Sequence, residues 1–216
     1  MRWLVWNAWR SLAILSALRA CIPVVAKKFK VRLEICRLEG IEGNCGNVTL
    51  QIFEQWGPRA AGRMKEIVHH KVWQNASFYR VVPGKVIEFG IPADPIEHGI
   101  HWMHARIKDD QWLGIKNSKG HISFTKEGPN SRRCDVLISL RNNSKELDHM
   151  GLMPFGVIYD GWDTLDKLNH QYKESIAVQA NRIWKWGNQF LESSFPGLSY
   201  VKEAAIEDDH TAHDEL

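Results

Sequence analysis

Phe78-Tyr79-Arg80-Val81-Val82-Pro83-Gly84-Lys85-Val86-Ile87-Glu88-Phe89-Gly90 is the stretch that decides the fold. β-Branched and aromatic residues run on both sides of Pro83-Gly84, a pair that interrupts regular structure, so the reading predicts short strands over Phe78–Val82 and Lys85–Phe89. Towards the C-terminus the same signals recur at Gly120–Phe124, Val136–Leu140 and Phe155–Tyr159. Towards the N-terminus, Val31, Leu33 and Ile35 alternate with polar neighbours, as do Val48, Leu50 and Ile52. A glycine-rich turn around Gly40 to Gly46 joins those two runs into a predicted hairpin. Three stretches carry helical spacing instead. Ala60, Ala61, Met64, Ile67 and Val68 follow Pro58; Trp162, Leu165, Leu168 and Tyr172 follow Asp160 as the expected N-cap; Ile183, Trp186, Phe190 and Leu191 come last. Short strands with helices at separated places predict a mainly β protein, a closed antiparallel barrel capped at its ends.

Composition agrees with one folded body. The chain has 216 residues, 44% of them hydrophobic and 25% charged, with a net charge of +3. That is enough for one domain with a proper core and short appendages. No basic stripe interleaved with aromatics is present, so nucleic acid is not an expected partner. The ten tryptophans are spread along the chain and read as packing residues. Residues 28–206 contain no repeat or long linker.

The two ends read as addresses. Residues 1–26 carry Arg2 and Arg10, a short apolar run from Leu12 to Leu18, and Val24-Val25-Ala26 as a cleavage site, the marks of a signal peptide. The alternative is an uncleaved signal anchor, which would make the membrane a partner. Residues 207–216 form an acidic tail, expected to be mobile, that ends in His213-Asp214-Glu215-Leu216, the HDEL form of the endoplasmic-reticulum retrieval signal. The expected location is the reticulum lumen, with the HDEL receptor as a partner. Glycosylation sequons begin at Asn47, Asn75 and Asn142. With Cys21 in the leader, Cys36, Cys45 and Cys134 remain: either Cys36 pairs with Cys45 or all three are buried thiols.

Three segments, in order, resemble the signatures of the cyclophilins, the β-barrel family of peptidyl-prolyl isomerases. They are Phe78 to Gly84 with Phe89-Gly90; Gly120-His121-Ile122-Ser123-Phe124 with Gly128-Pro129-Asn130-Ser131; and Leu147-Asp148, Pro154-Phe155-Gly156 and Gly161 to Leu168. The similarity continues through Gly187-Asn188 and Phe195-Pro196, as in a bacterial-like branch, and covers roughly residues 46–206. It implies an eight-stranded antiparallel barrel capped by two helices over residues 28–175, and a C-terminal helical extension over 176–206. It also implies proline-containing segments of secretory proteins as partners and requires no cofactor or metal.

The chemistry of that family has a simple physical basis. Rotation about an X-Pro bond breaks amide resonance, and the uncatalysed exchange takes tens to hundreds of seconds. In the twisted state the proline nitrogen regains its lone pair, and a donor aimed at it from within an apolar pocket binds that state best. By the resemblance Arg80 is this donor. Around it the substrate-binding positions depart from the family pattern. Glu88 replaces a glutamine, so an acceptor stands where a donor is wanted, placed to tie up Arg80. Asp135 replaces a second glutamine, Leu137 and Lys85 replace aromatic residues, Leu152 replaces a histidine or aromatic at the rim, and Val86 replaces a methionine. Lys126 lies where the family holds the peptide by its backbone. The resulting expectation is a weak isomerase; the alternative is a non-catalytic module that binds proline peptides.

Other clusters promise less. His98, His101 and His104 recur every third residue without a cysteine or carboxylate at ligand spacing, so no metal site is expected there. Asp109-Asp110 reads as a solvated turn.

Overall fold

The computed structural model describes residues 27–207. The leader and the retrieval tetrapeptide lie outside them. The alternation at the N-terminus forms β1 (Lys28–Cys36) and β2 (Cys45–Phe53), paired antiparallel with Val31 opposite Leu50 and Leu33 opposite Val48. These side chains and Phe29, Ile35 and Ile52 point into the core. Cys36 and Cys45 are partners at the end of the ladder and are joined by a disulfide; Cys134 is free and buried.

Helix α1 (Pro58–His69) follows, with Pro58 in its first turn and Ala60, Ala61, Met64, Ile67 and Val68 on the buried face. Then come β3 (Phe78–Val82), β4 (Val86–Phe89), the short α2 (Ile100–His104), β5 (His121–Phe124), β6 (Val136–Ser139), α3 (Ser144–Leu147) and β7 (Pro154–Asp160). The chain finishes with α4 (Trp162–Asp166), α5 (Ala180–Ser194) and β8 (Tyr200–Glu207).

All eight strands belong to one antiparallel sheet in the order β3-β4-β6-β5-β7-β2-β1-β8. The sheet curls so that its edge strands approach each other. They meet at one bridge, Ser77 with Tyr200, flanked by amides of Phe78 and Val201 that donate to Ser199 and Ala76. A continuous ladder does not span this seam, so the sheet is a curled half-barrel with helices.

Two expectations need correction. The helix after β7 stops at Asp166 instead of running to Tyr172, and its N-cap is Gly161, not Asp160. Gly161 has a φ of +93°, and a Cβ there would lie 2.3 Å from the Asn47 carbonyl oxygen. The close approach to β2 and the left-handed backbone both demand glycine. The C-terminal stretch is not wholly helical either. After α5 the chain returns as β8 and pairs with β1, with Lys30 opposite Glu207. Ala204 and Ala205 and a largely exposed strand disguise that pairing, because an edge strand with few buried residues shows weak alternation. No helix among the described residues is long and apolar enough to cross a membrane.

Candidate functional site

Strand pairing brings the sequence-predicted residues together on one face of the sheet. Arg80 on β3 stands opposite Glu88 on β4, and Glu88 stands opposite Leu137 on β6. Directly opposed residues project to the same side, and so do residues two apart along a strand. The row Arg80–Glu88–Leu137 and its neighbours Val82, Val86 and Asp135 therefore share the outer face, while Val81, Ile87 and Ile138 fill the core behind it.

Arg80 is held rather than free. One terminal nitrogen donates to Glu88 in a very short contact, and Nη2 donates to Glu174 Oε1 at 3.2 Å. The side chain remains 21% exposed, whereas its buried Nε has no hydrogen-bond partner. Burial would lower the basicity of the guanidinium, but the two carboxylates outweigh it and keep the arginine firmly charged. For Glu88 the balance is reversed. Burial pushes its pKa up, with help from the nearby charges of Asp135 and Glu174, and the pairing with Arg80 offsets only part of this. The expectation that Glu88 ties up Arg80 describes this geometry, and a second carboxylate, Glu174, completes the clamp.

Glu174 is the site residue that the sequence did not reveal. It lies 94 positions from Arg80, on the irregular stretch between α4 and α5, and also accepts a 2.9 Å bond from Lys85 Nζ. Those two cations lower its pKa, the Lys85 bond most strongly. Helical spacing carries on through Leu168 and Tyr172 in the sequence, which conceals that the chain leaves α4 at Asp166 and turns back over the face of β3.

Beside the arginine is an apolar wall. Val86, Leu137, Leu147 and Leu152 form a small cluster apart from the main core, with Val82 packed against it. Leu152, expected at a rim, is fully buried in this cluster; α3 delivers Leu147, and the loop after it delivers Leu152. The aliphatic side chains pack on one another and are themselves buried.

The remaining positions are engaged by partners other than Arg80. Asp135 is buried; burial raises its pKa, its carboxylate accepts a very short bond from the Thr125 hydroxyl, and Arg133 Nε lies 3.8 Å away. Lys126 is pulled to Asp109 at 2.8 Å, its side chain almost buried. Asp109 and Asp110 are therefore not a solvated turn. Asp110 is buried, accepts from the backbone N–H groups of Arg59 and Ala60 at 2.8 and 3.1 Å, and pairs with Arg132 at 3.0 Å. The carboxylate satisfies orphan donors of the first turn of α1 where the helix dipole favours it, a structural duty. His98 and His101 line a surface cavity of about 420 Å³ with Arg63, Glu66, His70 and Trp102. Asn47, Asn75 and Asn142 are all exposed.

The fold has parallels among known proteins. A family model described as cyclophilin type peptidyl-prolyl cis-trans isomerase/CLD matches residues 39–187. A peptidyl-prolyl cis-trans isomerase of Acinetobacter baylyi is 22% identical over 142 residues, 64% of this chain and 74% of that protein. Peptidyl-prolyl cis-trans isomerase-like 1 of Gibberella zeae is 21% identical over 101 residues, 46% of this chain and 62% of its own length. Among solved structures, a cyclophilin type peptidyl-prolyl cis-trans isomerase of Cryptosporidium parvum superposes with a TM-score of 0.56 at 16% identity, covering 85% of this chain and 99% of that one. The same protein crystallised in the presence of the dipeptide Ala-Pro gives a TM-score of 0.54 at 15% identity, over 83% and 99% of the two chains.

Proposed function

Because the chain belongs to the cyclophilin-type peptidyl-prolyl cis-trans isomerase family, we propose that it binds X-Pro segments of secretory proteins in the lumen of the endoplasmic reticulum and isomerises them slowly. In this reading the sheet acts as a barrel closed at the Ser77–Tyr200 seam, and its outer face is the working surface. The observation that carries the proposal is the row Arg80–Glu88–Leu137, which sets a charged donor against an aliphatic wall on three adjacent strands. The wall seats the proline ring. The guanidinium donates to the proline nitrogen as the amide twists, and neither nucleophile nor metal takes part.

Turnover is low because the donor must first be released. A millionfold acceleration needs about 8 kcal/mol of differential binding. Here the guanidinium already donates to two carboxylates, so part of that preference is spent in separating them. The luminal assignment draws on the leader over residues 1–26, the terminal His213-Asp214-Glu215-Leu216, the exposed sequon asparagines and the Cys36–Cys45 bond, which suits an oxidising compartment.

A second reading, a binding module without turnover, is favoured by the same clamp on Arg80 and by the fully packed wall. The full chain and an Arg80→Ala variant, assayed on an Ala-Pro peptide, separate the two. Weak turnover that drops to background in Arg80→Ala is expected; background rates in both, with peptide binding intact, would replace the isomerase by the binding module.

A further inference from the structure

Glu174 Oε1 is shared by two cations, Lys85 Nζ at 2.9 Å and Arg80 Nη2 at 3.2 Å. Its side chain is 52% exposed and sits on a stretch with no regular helix or strand, between α4 and α5. Lys85 is partly exposed, at 34%, and stands at the turn between β3 and β4, next to Val86 of the apolar wall. Without Glu174, the local group Arg80, Lys85 and Glu88 carries one uncompensated positive charge beside the aliphatic cluster of Val86 and Leu137. A carboxylate on an irregular, solvent-exposed segment is the part of this arrangement that can be exchanged, because an exposed ion pair costs little to break.

We propose that Glu174 occupies the place of a substrate carboxylate, and that the site selects proline segments in which a glutamate or aspartate adjoins the proline. This inference rests on the proline-peptide reading of the Arg80 face and names the class of segment it takes. The incoming carboxylate displaces Glu174, receives the Lys85 ammonium and one guanidinium N–H, and lets the proline ring settle against Val86 and Leu137. Glu174 is then a competitor built into the chain. It holds the two cations when no acidic segment is present, while Lys85 and Arg80 themselves repel segments that bring a lysine or arginine to the same spot.

The test uses the full chain and peptides that differ in one residue: Glu-Pro, Pro-Glu, Gln-Pro and Lys-Pro in a common neutral frame, titrated at low ionic strength and followed by NMR shifts of the protein. One of the two glutamate peptides is expected to bind about fivefold more tightly than the glutamine peptide, the worth of roughly 1 kcal/mol of partly screened ion pairing. The lysine peptide should be the weakest. Lys85→Met should erase the difference between glutamate and glutamine, and Glu174→Gln should widen it in favour of the glutamate peptide. Equal affinity for all four peptides overturns the acidic preference and leaves the proline-peptide reading standing. If none of the four binds, both fall.

Discussion

Glu88 decides how far Arg80 is available, and a single atom's change tests it. In Glu88→Gln the side chain keeps its length and gains an N–H donor, while the ion pair that holds Arg80 is reduced to a weaker bond to a neutral carbonyl. Bonds to charged groups contribute about 1.5–3 kcal/mol, so release of half of that should raise kcat/KM on an Ala-Pro peptide by about fourfold to twelvefold. An unchanged or lower rate would show that the guanidinium is not limited by this partner. The pH dependence of stability has a definite sign here. The folded pKa of Glu88 is raised above the ordinary 4.5, so its contribution is whole below that value and is lost as pH rises through the folded pKa. The stability of Glu88→Gln relative to the parent should therefore improve as pH is raised from about 4 towards neutrality, as read from denaturant midpoints. Asp135, also buried with a raised pKa, has the same sign. Arg80 and Glu88 were legible in the sequence because they sit in a motif eight residues apart on two adjoining strands. Glu174 was not, since nothing local marks a residue whose role is set by where a distant turn lands.

At the scale of elements, the hairpin of β1 and β2, the strands around Pro83-Gly84 and helix α1 all follow from alternation, breakers and apolar spacing, and each forms where those signals stand. Two elements escaped for identifiable reasons. Helix α4 starts where Gly161 is pinned against β2 and ends at Asp166, beyond which the chain carries Glu174 to β3. Strand β8 has only Val201 fully buried, so its pattern resembles a polar tail more than a strand. The pinning glycine gives a direct prediction. Gly161→Ala would place a Cβ 2.3 Å from the Asn47 oxygen and 2.7 Å from Val48 Cα, at a φ of +93°. Both contacts are with backbone, which cannot swing aside, so a loss of about 2–4 kcal/mol is expected in chemical denaturation. A loss below about 0.5 kcal/mol, the range of ordinary surface changes, would mean the α4–β2 junction relaxes freely.

For the molecule as a whole, the chain keeps the family fold, and a core built mostly from alternating aliphatic positions lets the residues on the outer face vary without loss of that fold. The location proposed for it can be read from sugar. Asn47, Asn75 and Asn142 are exposed, so the chain expressed in a eukaryotic cell should migrate faster on a gel after endoglycosidase H, and Asn-to-Gln changes at these positions should each remove part of that shift. A mobility indifferent to the enzyme would exclude the luminal proposal. The pairing of the first strand with the last has its own result. Lys28 opens β1, Glu207 closes β8, and Lys30 faces Glu207. Whatever precedes residue 27 and whatever follows residue 207 must leave the domain side by side, so a bilayer gripping one end or a receptor gripping the other would hang the protein from the same pole.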